Sequence, residues 1–282
     1  MILKYIIEEE KILVKEYLEL KGLSRNIRKK ARIEDVIYIN GQKARNYYEL
    51  HRGDILELIF EEQMNQEIDV NNKDFKILFE DQYIMIIEKE SGISSQPSRK
   101  HPTDNVISCV KNYFMKNNIN SNIHLVNRLD FSTSGLMIIA KDGITHFEFS
   151  KINIVKKYLC EITGHINPNN GTINLPIGRY DAPSIKRYVT EEGKESITYY
   201  KVIKNNENTD YVEVTLETGR THQIRVHFSY LGHPLIGDEL YGTKADNLKL
   251  HCYYLSFNHP WTNERIEVKN YPNWIGRDIC QE

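Results

Sequence analysis

Apolar and polar residues follow two different periods along this chain, and each period predicts a different kind of element. In the first sixty residues, "ILVKEYLELKG" (12–22) has helical apolar spacing and ends at Gly22, a suitable helix stop. Ser24 is a suitable N-cap for a second helix. The pairs "NG" at 40–41 and "GD" at 53–54 predict tight turns between short strands. This region therefore predicts two short helices and a small sheet.

Beyond this region, strand patterns far outnumber helical ones. A polar, acidic stretch at 61–74 predicts a linker. The runs with strand character that follow are "FKILFED", "YIMIIEKE", "GLMIIAKD", "KKYLCEITGHI", "ESITYYKVIK", "DYVEVTLET" and "LHCYYLSF". Helical patterns are few, chiefly "DNVISCVKNYFMKN" and "THFEFSKIN". We therefore predict an α+β fold with a largely antiparallel sheet over 75–282, preceded by a small α/β module at 1–60.

Composition excludes several classes of protein. The 282 residues are 40% apolar and 27% charged, as in globular proteins. No apolar run approaches the roughly 18 residues that a membrane span needs, and the first residues have no small-residue cleavage site, so we expect a cytoplasmic protein. The cysteines are scattered and form no ligand cluster with histidines, so we predict neither a metal site nor a disulfide framework. They are Cys109, Cys160, Cys252 and Cys280.

The net charge of −2 conceals a strongly basic segment. Between positions 21 and 32 there are six basic residues and no acidic one: Lys21, Arg25, Arg28, Lys29, Lys30 and Arg32. Spacings of three and four place Arg25, Arg28, Lys29 and Arg32 on one face of a helix. A solvated surface is the usual role of such a run. Because like charges on one face repel and nothing local offsets them, we predict a phosphate-bearing partner instead.

A second unusual segment, "NRLDFSTSGL" (127–136), places charged and hydroxyl residues between two apolar runs. The pattern predicts a loop between strands that becomes tight at Gly135. A carboxylate in such a loop is either structural, with a partner for its charge, or chemically active. Burial disfavours a carboxylate's charge unless a cation offsets it, and an ionised carboxylate shielded from water is a good nucleophile or base. We therefore expect Asp130 to lie in a dry cleft beside a cation.

Candidate cations lie in "GRTHQIRVHFSYLGHPLIGDELYG" (219–242). Many hydrogen-bonding side chains stand close together there, notably Arg220, His222, Gln223 and Arg225. In an extended conformation, Arg225 and Gln223 face one way and Arg220 and His222 the other. One face can then meet a carboxylate while the other meets phosphate.

These segments resemble the motifs of one enzyme family. "NRLDFSTSGL" resembles the signature His-Arg-Leu-Asp-x-x-Thr-Ser-Gly-Leu of the RluA-type ribosomal large-subunit pseudouridine synthases. "GRTHQIRVHFSYLGHPLIGDELYG", "ILFEDQYIMIIEKESGI" and "KKYLCEITGHI" are similar to its other motifs, in family order over roughly residues 75 to 265. "LSR" at 23–25, "YING" at 38–41 and "GD" at 53–54 resemble an α-L RNA-binding module.

The resemblance implies the pseudouridine synthase fold and the isomerisation of uridine to pseudouridine within RNA, without metal or organic cofactor. Asp130 matches the catalytic aspartate, Arg225 the arginine that pairs with it, and Tyr158 the tyrosine that stacks on uracil and assists proton removal at C5. Whether the aspartate attacks the sugar, attacks the base or removes a 2′ proton stays open. The residues expected to bind RNA are Arg128, Arg220, His222, Gln223, Lys21, Arg25, Arg28, Lys29 and Arg32. Ribosomal RNA is the expected partner, transfer RNA the other candidate, and the chain is expected to be a monomer.

The chain departs from the family pattern at two places. Asn127 replaces the usual histidine of the signature, and Glu88-Lys89-Glu90 replaces the usual Asn-Lys-Pro. We expect both changes to affect local geometry without loss of activity. A catalytically silent RNA-binding or ribosome-assembly factor would predict erosion at Asp130, Tyr158 or Arg225, and none is seen. A glycoside hydrolase usually needs a pair of carboxylates, whereas the 127–136 segment has one.

Overall fold

The computed structural model describes most of the chain as two compact units. The units are Met1–Asn65 and Gln66–Glu282. The described residues are 2–23, 25–60, 68–181, 184–243 and 246–276. Ser24 and much of the predicted linker at 61–74 lie outside the described residues.

The N-terminal unit contains two short helices and short strands. Their bounds are β1 Ile2–Ile6, β2 Lys11–Leu13, α1 Val14–Leu20, α2 Arg25–Ile33, β3 Ile37–Ile39, β4 Gln42–Lys43, β5 Glu49–His51 and β6 Ile55–Ile59. The strands form a sheet in the order β1-β6-β3-β4 and a separate pair, β2-β5. Asn40 and Gly41 both have left-handed backbones, with φ of 50° and 77°, which confirms the tight turn predicted between β3 and β4.

The core of this unit follows from the apolar spacing of its helices and strands. Val14, Tyr17 and Leu18 are the buried residues of α1, as the helical period predicts. Leu56 and Leu58 of β6 alternate with more exposed neighbours and are fully buried. This packing leaves basic residues of α2 in contact with solvent.

The second unit is built around one large sheet. Its elements are β7 Lys76–Glu80, β8 Ile84–Lys89, α3 Val106–Lys116, β9 His124–Leu125, β10 Ser134–Ala140, α4 Gly143–Phe149, β11 Val155–Thr163, β12 Asn170–Asn174, β13 Ile177–Arg179, β14 Arg187–Val189, β15 Ile197–Asn205, β16 Thr209–Leu216, α5 Gln223–Tyr230, β17 Leu250–Asn258 and β18 Arg265–Lys269. The sheet has ten strands in the order β12-β15-β16-β11-β17-β10-β8-β7, with β9 beside β10 and β18 beside β17. β13 and β14 form a separate hairpin.

The large sheet is mixed but mostly antiparallel, which confirms the predicted fold class. Among the described strands, the parallel pairing is that of β10 with β17, where Ser134 lies opposite His251 and Gly135 opposite Cys252. The residues 84–87 of β8 and 136–140 of β10 are all buried. Continuous apolar runs of this kind are typical of central strands covered on both faces.

The segment around 219–227 is not extended as predicted. A helix, α5, begins at Gln223, and His222 precedes it with a left-handed backbone of φ 60°. Every residue from Gln223 to Phe228 is buried. A helical segment that is buried on all sides shows no amphipathic period, so its apolar and polar residues do not reveal the helix. The prediction that neighbouring residues alternate between two faces here is therefore wrong.

No helix in the described part of the chain is long and apolar enough to cross a bilayer.

Candidate active site

Asp130 lies in the loop between β9 and β10, as the sequence predicted. The loop is closed locally by a hydrogen bond from Thr133 N to Asp130 O of 3.1 Å. At its end, Gly135 has a φ of 120°, and a Cβ there would lie 2.3 Å from Cys252 O. Only glycine fits this approach, because the chain turns out of the loop directly against β17. The loop is thereby held in place by the parallel pair of the sheet.

The Asp130 carboxylate faces two nitrogen-bearing side chains. Its Oδ2 lies 3.9 Å from Arg225 Nη1 and 3.9 Å from His222 Nε2. These separations are longer than hydrogen bonds but short enough for direct electrostatic attraction. The Asp130 side chain is 28% exposed. The prediction of a dry cleft is therefore corrected to a site that is open to solvent on one side.

Arg225 is held chiefly by a different carboxylate from the one predicted. Its Nε and Nη2 donate to Asp238 at 2.8 and 2.7 Å in a bidentate pair, and both side chains are almost completely buried. The guanidinium also lies 5.2 Å from the centre of the Tyr241 ring. Burial acts to lower the pKa of Arg225, but the hydrogen bonds and charge of Asp238 outweigh it and raise the pKa. Asp238 thus fixes a permanent cation, and Nη1 is the nitrogen nearest Asp130.

His222 joins the same group of side chains from the start of α5. Its Nδ1 lies 2.8 Å from the Tyr241 hydroxyl, and this contact orients the ring so that Nε2 faces Asp130. Burial lowers the pKa of His222, although the Asp130 charge opposes the shift. The imidazole is therefore neutral at neutral pH, and it can exchange a hydrogen bond with a ligand in the site.

Tyr158 approaches Asp130 from β11. The pairing of β11 with β17 shifts register between Lys157 and Tyr158, and Tyr158 is 8% exposed. The pKa of its phenol lies well above the ordinary value, first because of burial and then because Cys252 and Asp130 lie close. The phenol consequently stays protonated at neutral pH.

A cavity of about 620 Å³ lies between these elements. Such a volume is within the range of small-ligand sites. Seven of the residues predicted from the sequence line it: Arg128, Asp130, Tyr158, Arg220, His222, Gln223 and Arg225. The tertiary structure therefore brings together three segments that are far apart in the sequence.

Gln223 lines the cavity but has no hydrogen-bonding group left for a ligand. Its Oε1 accepts from Thr218 Oγ1 and Arg220 N, and its Nε2 donates to Ile197 O and Thr198 Oγ1, all at 3.0 Å. The side chain is 2% exposed. The structure thus gives Gln223 a positioning role at the start of α5 in place of the predicted RNA contact.

Arg128 and Arg220 differ from Gln223 in being exposed at the cavity. Arg220 Nε donates to Glu195 O at 3.0 Å, which orients its guanidinium at the surface. Both positions suit side chains that meet a phosphate or a neighbouring nucleotide, because an exposed guanidinium binds phosphate without a large desolvation penalty.

Lys89 supports the loop that contains Asp130, a role that its position in the sequence did not predict. It is 2% exposed, and its Nζ donates to Glu90 O at 2.9 Å, Ile93 O at 2.8 Å and Phe131 O at 3.3 Å. Phe131 directly follows Asp130, so this hydrogen bond from the Lys89 ammonium holds the loop in place. Burial lowers the pKa of Lys89 to about 7, against the opposing effect of the Asp130 charge. Lys89 is the last residue of β8, where a lysine is usually exposed, so its burial could not be predicted from the sequence.

Asn127, which replaces the family's histidine, also supports the loop. Its Oδ1 accepts from Ile138 N at 2.7 Å and its Nδ2 donates to Leu136 O at 3.2 Å. The amide thus joins the beginning of the loop to β10 and is 8% exposed. These two hydrogen bonds agree with the expectation that Asn127, in place of histidine, affects the geometry of the loop.

The basic residues predicted to bind RNA between positions 21 and 32 belong to the N-terminal unit. Arg25, Arg28, Lys29 and Arg32 line one open depression beside α1, of about 870 Å³. The predicted shared face of α2 is therefore confirmed. Arg28 is paired with Glu19 at 2.9 Å, so the expectation that nothing local offsets these charges is wrong. Lys21 caps α1, and its Nζ lies 5.0 Å from the centre of the Tyr17 ring.

In the described part of the chain, no cluster of histidine, cysteine, aspartate and glutamate side chains could hold a metal ion. Cys109, Cys160 and Cys252 are buried free thiols, and Cys280 lies outside the described residues.

Comparison with known proteins shows the class of protein that this fold and cavity define. Residues 83–230 match the family described as RNA pseudouridylate synthase. The chain is 37% identical over 267 residues to a Bacillus subtilis (strain 168) protein named uncharacterized RNA pseudouridine synthase YjbO, covering 90% of this chain and 93% of that one. It is 31% identical over 240 residues to ribosomal large subunit pseudouridine synthase D of Pseudomonas aeruginosa, covering 77% of this chain and 74% of that one.

A solved structure supports the fold. Human RNA pseudouridylate synthase domain containing 1 superposes with a TM-score of 0.59 at 24% identity, over 73% of this chain and 86% of that one. The chain therefore belongs to the RluA-type family of RNA pseudouridine synthases. The family, the fold class and the enzyme class predicted from the sequence are confirmed.

Proposed function

We propose that this chain isomerises uridine to pseudouridine in ribosomal RNA, with Asp130 as the catalytic group. The observation that carries the proposal is the position of the Asp130 carboxylate. It opens into a cavity that also presents the Tyr158 phenol and a guanidinium, that of Arg225, fixed by a second carboxylate. The relative from Pseudomonas aeruginosa, whose name assigns it to the large ribosomal subunit, supports the choice of RNA.

The reaction needs no external oxidant or reductant. The N1–C1′ bond of the uridine breaks, the uracil turns in place, and a C5–C1′ bond forms. The proton that leaves C5 is matched by one gained at N1, so the product has the same atoms as the substrate. The protein must extrude the base, hold it while it turns, and supply one ionised group at the reacting carbon or its neighbours. Extrusion costs a few kcal/mol in lost stacking and pairing.

Asp130 is suited to be that ionised group. Its partial exposure at the cavity leaves an approach for the nucleotide, and the entering base would shield the carboxylate from water. Arg225 stabilises the negative charge across 3.9 Å without neutralising it in a short ion pair. Asp238 occupies Nε and Nη2 of Arg225 and holds the guanidinium in place, so that Nη1 faces Asp130 at 3.9 Å. The carboxylate therefore stays available for chemistry.

Tyr158 is suited to stack on the uracil and to donate a hydrogen bond. Stacking of one base on an aromatic ring contributes about 1–3 kcal/mol, which offsets much of the extrusion penalty. A phenol whose pKa is raised cannot take the C5 proton as a phenolate at neutral pH. We therefore assign the proton removal to another group, with Asp130 and the neutral His222 imidazole facing the same space.

The N-terminal unit is proposed to bind the same RNA through the basic face of α2. Five basic residues and two glutamates line its open depression, and this excess of positive charge favours phosphates. We further propose that the chain acts as a monomer in the cytoplasm. Transfer RNA is the second candidate substrate.

The test uses the full chain and large-subunit ribosomal RNA transcribed with tritium at C5 of uridine. Isomerisation releases the tritium to water, and sequencing of the product maps the site. We expect Asp130→Asn to release no more tritium than RNA alone, because the amide cannot carry the negative charge. Asp104→Asn, an exposed aspartate outside the cavity, is the matched control and should behave as wild type.

Release by Asp130→Asn at the wild-type rate would refute the catalytic assignment. A wild-type chain that binds this RNA tightly but releases no tritium would support the silent-factor alternative.

A further inference from the structure

The hydroxyl of Thr133 is a buried polar group that has no hydrogen-bond partner in the described part of the chain. Thr133 is 3% exposed, and its Oγ1 makes no hydrogen bond there. Nearly all buried polar atoms of native proteins are hydrogen-bonded, because a buried hydroxyl without a partner has lost its hydration and gained nothing in return. Thr133 also lines the cavity that contains Asp130. A group of this kind in an active site indicates a partner that arrives only when the site is in use.

Other hydroxyl groups at the same loop do have partners. Ser95 Oγ donates to Leu129 O at 2.6 Å, which fixes the chain just before Asp130. Ser134 Oγ lies 2.8 Å from His251 Nδ1, which fixes the chain just after Thr133. The loop is therefore held on both sides without any contribution from the Thr133 hydroxyl.

A turn brings Thr133 close to Asp130. Thr133 N donates to Asp130 O at 3.1 Å, the hydrogen bond that joins the first and fourth residues of a turn. The Cα atoms of two such residues are less than about 7 Å apart. Both residues line the same cavity. A change of side-chain rotamer therefore brings the hydroxyl and the carboxylate within reach of each other.

The Asp130 carboxylate has no hydrogen-bond donor among the residues that the structure describes. The nitrogen atoms of Arg225 and His222 that face it are both 3.9 Å away. The side chain is 28% exposed, so solvent can hydrate its charge until a nucleotide enters. An entering base excludes that solvent, and an anion in a drier site needs a donor. The donor on Thr133 and the acceptor on Asp130 therefore complement each other in the occupied site.

We propose that Thr133 is a positioning residue whose Oγ1 donates a hydrogen bond to the Asp130 carboxylate when the target nucleotide fills the cavity. The hydrogen bond stabilises the ionised carboxylate and fixes the rotamer in which it faces the reacting nucleotide. This inference rests on the proposed catalytic role of Asp130. An oxygen atom of the nucleotide is the competing acceptor; the shared turn and the missing donor at Asp130 favour the carboxylate.

The test compares Thr133→Val and Thr133→Ser with the wild type in the full chain. Tritium release from the large-subunit ribosomal RNA is followed in a single turnover, with the protein in excess. Valine has the shape of threonine but no hydroxyl, so the first-order rate should fall about tenfold or more, as for the loss of one hydrogen bond to a charged group. Serine keeps the hydroxyl and should restore most of the rate. The protein concentration that gives half of the maximal rate should stay the same, because the hydroxyl does not contact the RNA.

Urea denaturation separates this role from a structural one. Because Thr133→Val removes a buried hydroxyl that has no partner in the described structure, the midpoint should stay the same or rise. Thr145→Val is the matched control outside the cavity: Thr145 Oγ1 donates to Asp142 Oδ2 at 2.8 Å and accepts from Trp261 Nε1 at 3.0 Å. This control should have a lower midpoint and the wild-type rate. Ser108→Ala removes another unpartnered buried hydroxyl of the described structure, from α3 outside the cavity, and should leave the rate unchanged.

The pH dependence of the single-turnover rate is a measurement that packing alone does not change. Loss of a donor to the ionised carboxylate favours its protonated form, so the acid limb of the profile should move to higher pH in Thr133→Val and return in Thr133→Ser. The other charged and titratable groups that interact with Asp130 are His222 and Arg225 from α5, Tyr158 from β11 and Lys89 from β8. These groups are the same in wild type and both variants, so the difference between the profiles reports the hydroxyl.

The outcomes separate this inference from the proposed catalysis. A wild-type rate and acid limb in Thr133→Val would overturn the assignment of Thr133 alone, as would a lowered urea midpoint with an unchanged acid limb. A raised half-saturating concentration with an unchanged acid limb would assign the hydroxyl to the RNA and also overturn it. The proposed function fails on different evidence, namely a wild type that releases no tritium or an Asp130→Asn variant that releases it at the wild-type rate.

Discussion

Each unit of this protein contains an arginine paired with a carboxylate, and the two pairs differ mainly in their contact with water. Arg28 and Glu19 in the N-terminal unit are 2.9 Å apart, with side-chain exposures of 31% and 69%. Arg225 and Asp238 in the catalytic unit are 2.7 Å apart, with exposures of 4% and 0%. The shortest N–O distances are therefore similar, but the Arg225–Asp238 pair is bidentate and the two pairs lie in very different dielectric environments.

The difference in burial suits the two roles that we propose for these arginines. In the N-terminal unit, water screens the pair, so Arg28 can exchange Glu19 for a phosphate at little cost. In the catalytic unit, burial makes the loss of either partner expensive, so Arg225 keeps one position. A cation that must bind diverse RNA phosphates suits the first arrangement, and a cation that must stay at a set distance from Asp130 suits the second.

The largest effect is expected from Arg225→Met, which leaves the buried Asp238 carboxylate without its cation. We expect a loss of about 3–5 kcal/mol in the free energy of unfolding, measured by urea denaturation. Arg28→Met is the matched surface control, and its loss should stay below about 1 kcal/mol. Equal losses in the two variants would show that burial does not distinguish the pairs.

A smaller effect, visible in its pH dependence, is expected from Lys89→Met. The native pKa of Lys89 is about 7 and its ordinary value is 10.5, so above neutral pH the unfolded chain holds a proton that the native chain has lost. The free energy of unfolding of the wild type therefore rises with pH in this range, whereas Lys89→Met lacks this contribution. The difference in unfolding free energy between the two proteins should widen from about pH 7 to about pH 9. Urea denaturation across that window measures it.

Lys30→Met on the exposed helix α2 is the control for this effect, because Lys30 is in contact with solvent and 3.7 Å from Glu34. If the difference in unfolding free energy between wild type and Lys89→Met stays constant with pH, the Lys89 ammonium is not held in a desolvated site.

The smallest change in stability is expected from Arg32→Gln on the basic face of α2, within about 0.5 kcal/mol as for other surface positions. Its effect should be on RNA binding, where the slope of log K against log salt should fall by about 0.7 for one lost phosphate contact. Anisotropy titrations at several salt concentrations measure the slope. An unchanged slope would mean that this face does not contact phosphate.

Local patterns of the sequence predicted much of the fold. The turn at Asn40-Gly41, the helix that ends near Gly22 and the strands β8 and β10 depend on short-range backbone preferences and apolar spacing, which are visible within a few residues. The loop that contains Asp130 was found in the same way, since polar residues interrupt two apolar runs. The family motifs added the roles proposed for Tyr158 and Arg225.

Other features of the site could not be found from local patterns. The conformation of Gln223–Phe228 depends on burial from all sides, which removes the periodicity that a prediction uses. Lys89 occupies a position where lysine is ordinarily exposed, and only the carbonyl groups of Glu90, Ile93 and Phe131 show why it is buried. The saturated amide of Gln223 likewise becomes visible only when its partners are in place.

The sequence by itself determined which residue types are available for chemistry, because charge, hydrogen-bonding groups and backbone preferences belong to each residue. Only the tertiary structure decided which of them meet. Asp130 lies in one loop, Arg225 in a helix and Asp238 in a later turn, and their distances depend on how the sheet and α5 pack. Electrostatic effects vary steeply with distance and burial, so the assignment of Asp238 as the fixed partner of Arg225, and of Asp130 as the available carboxylate, required the folded arrangement.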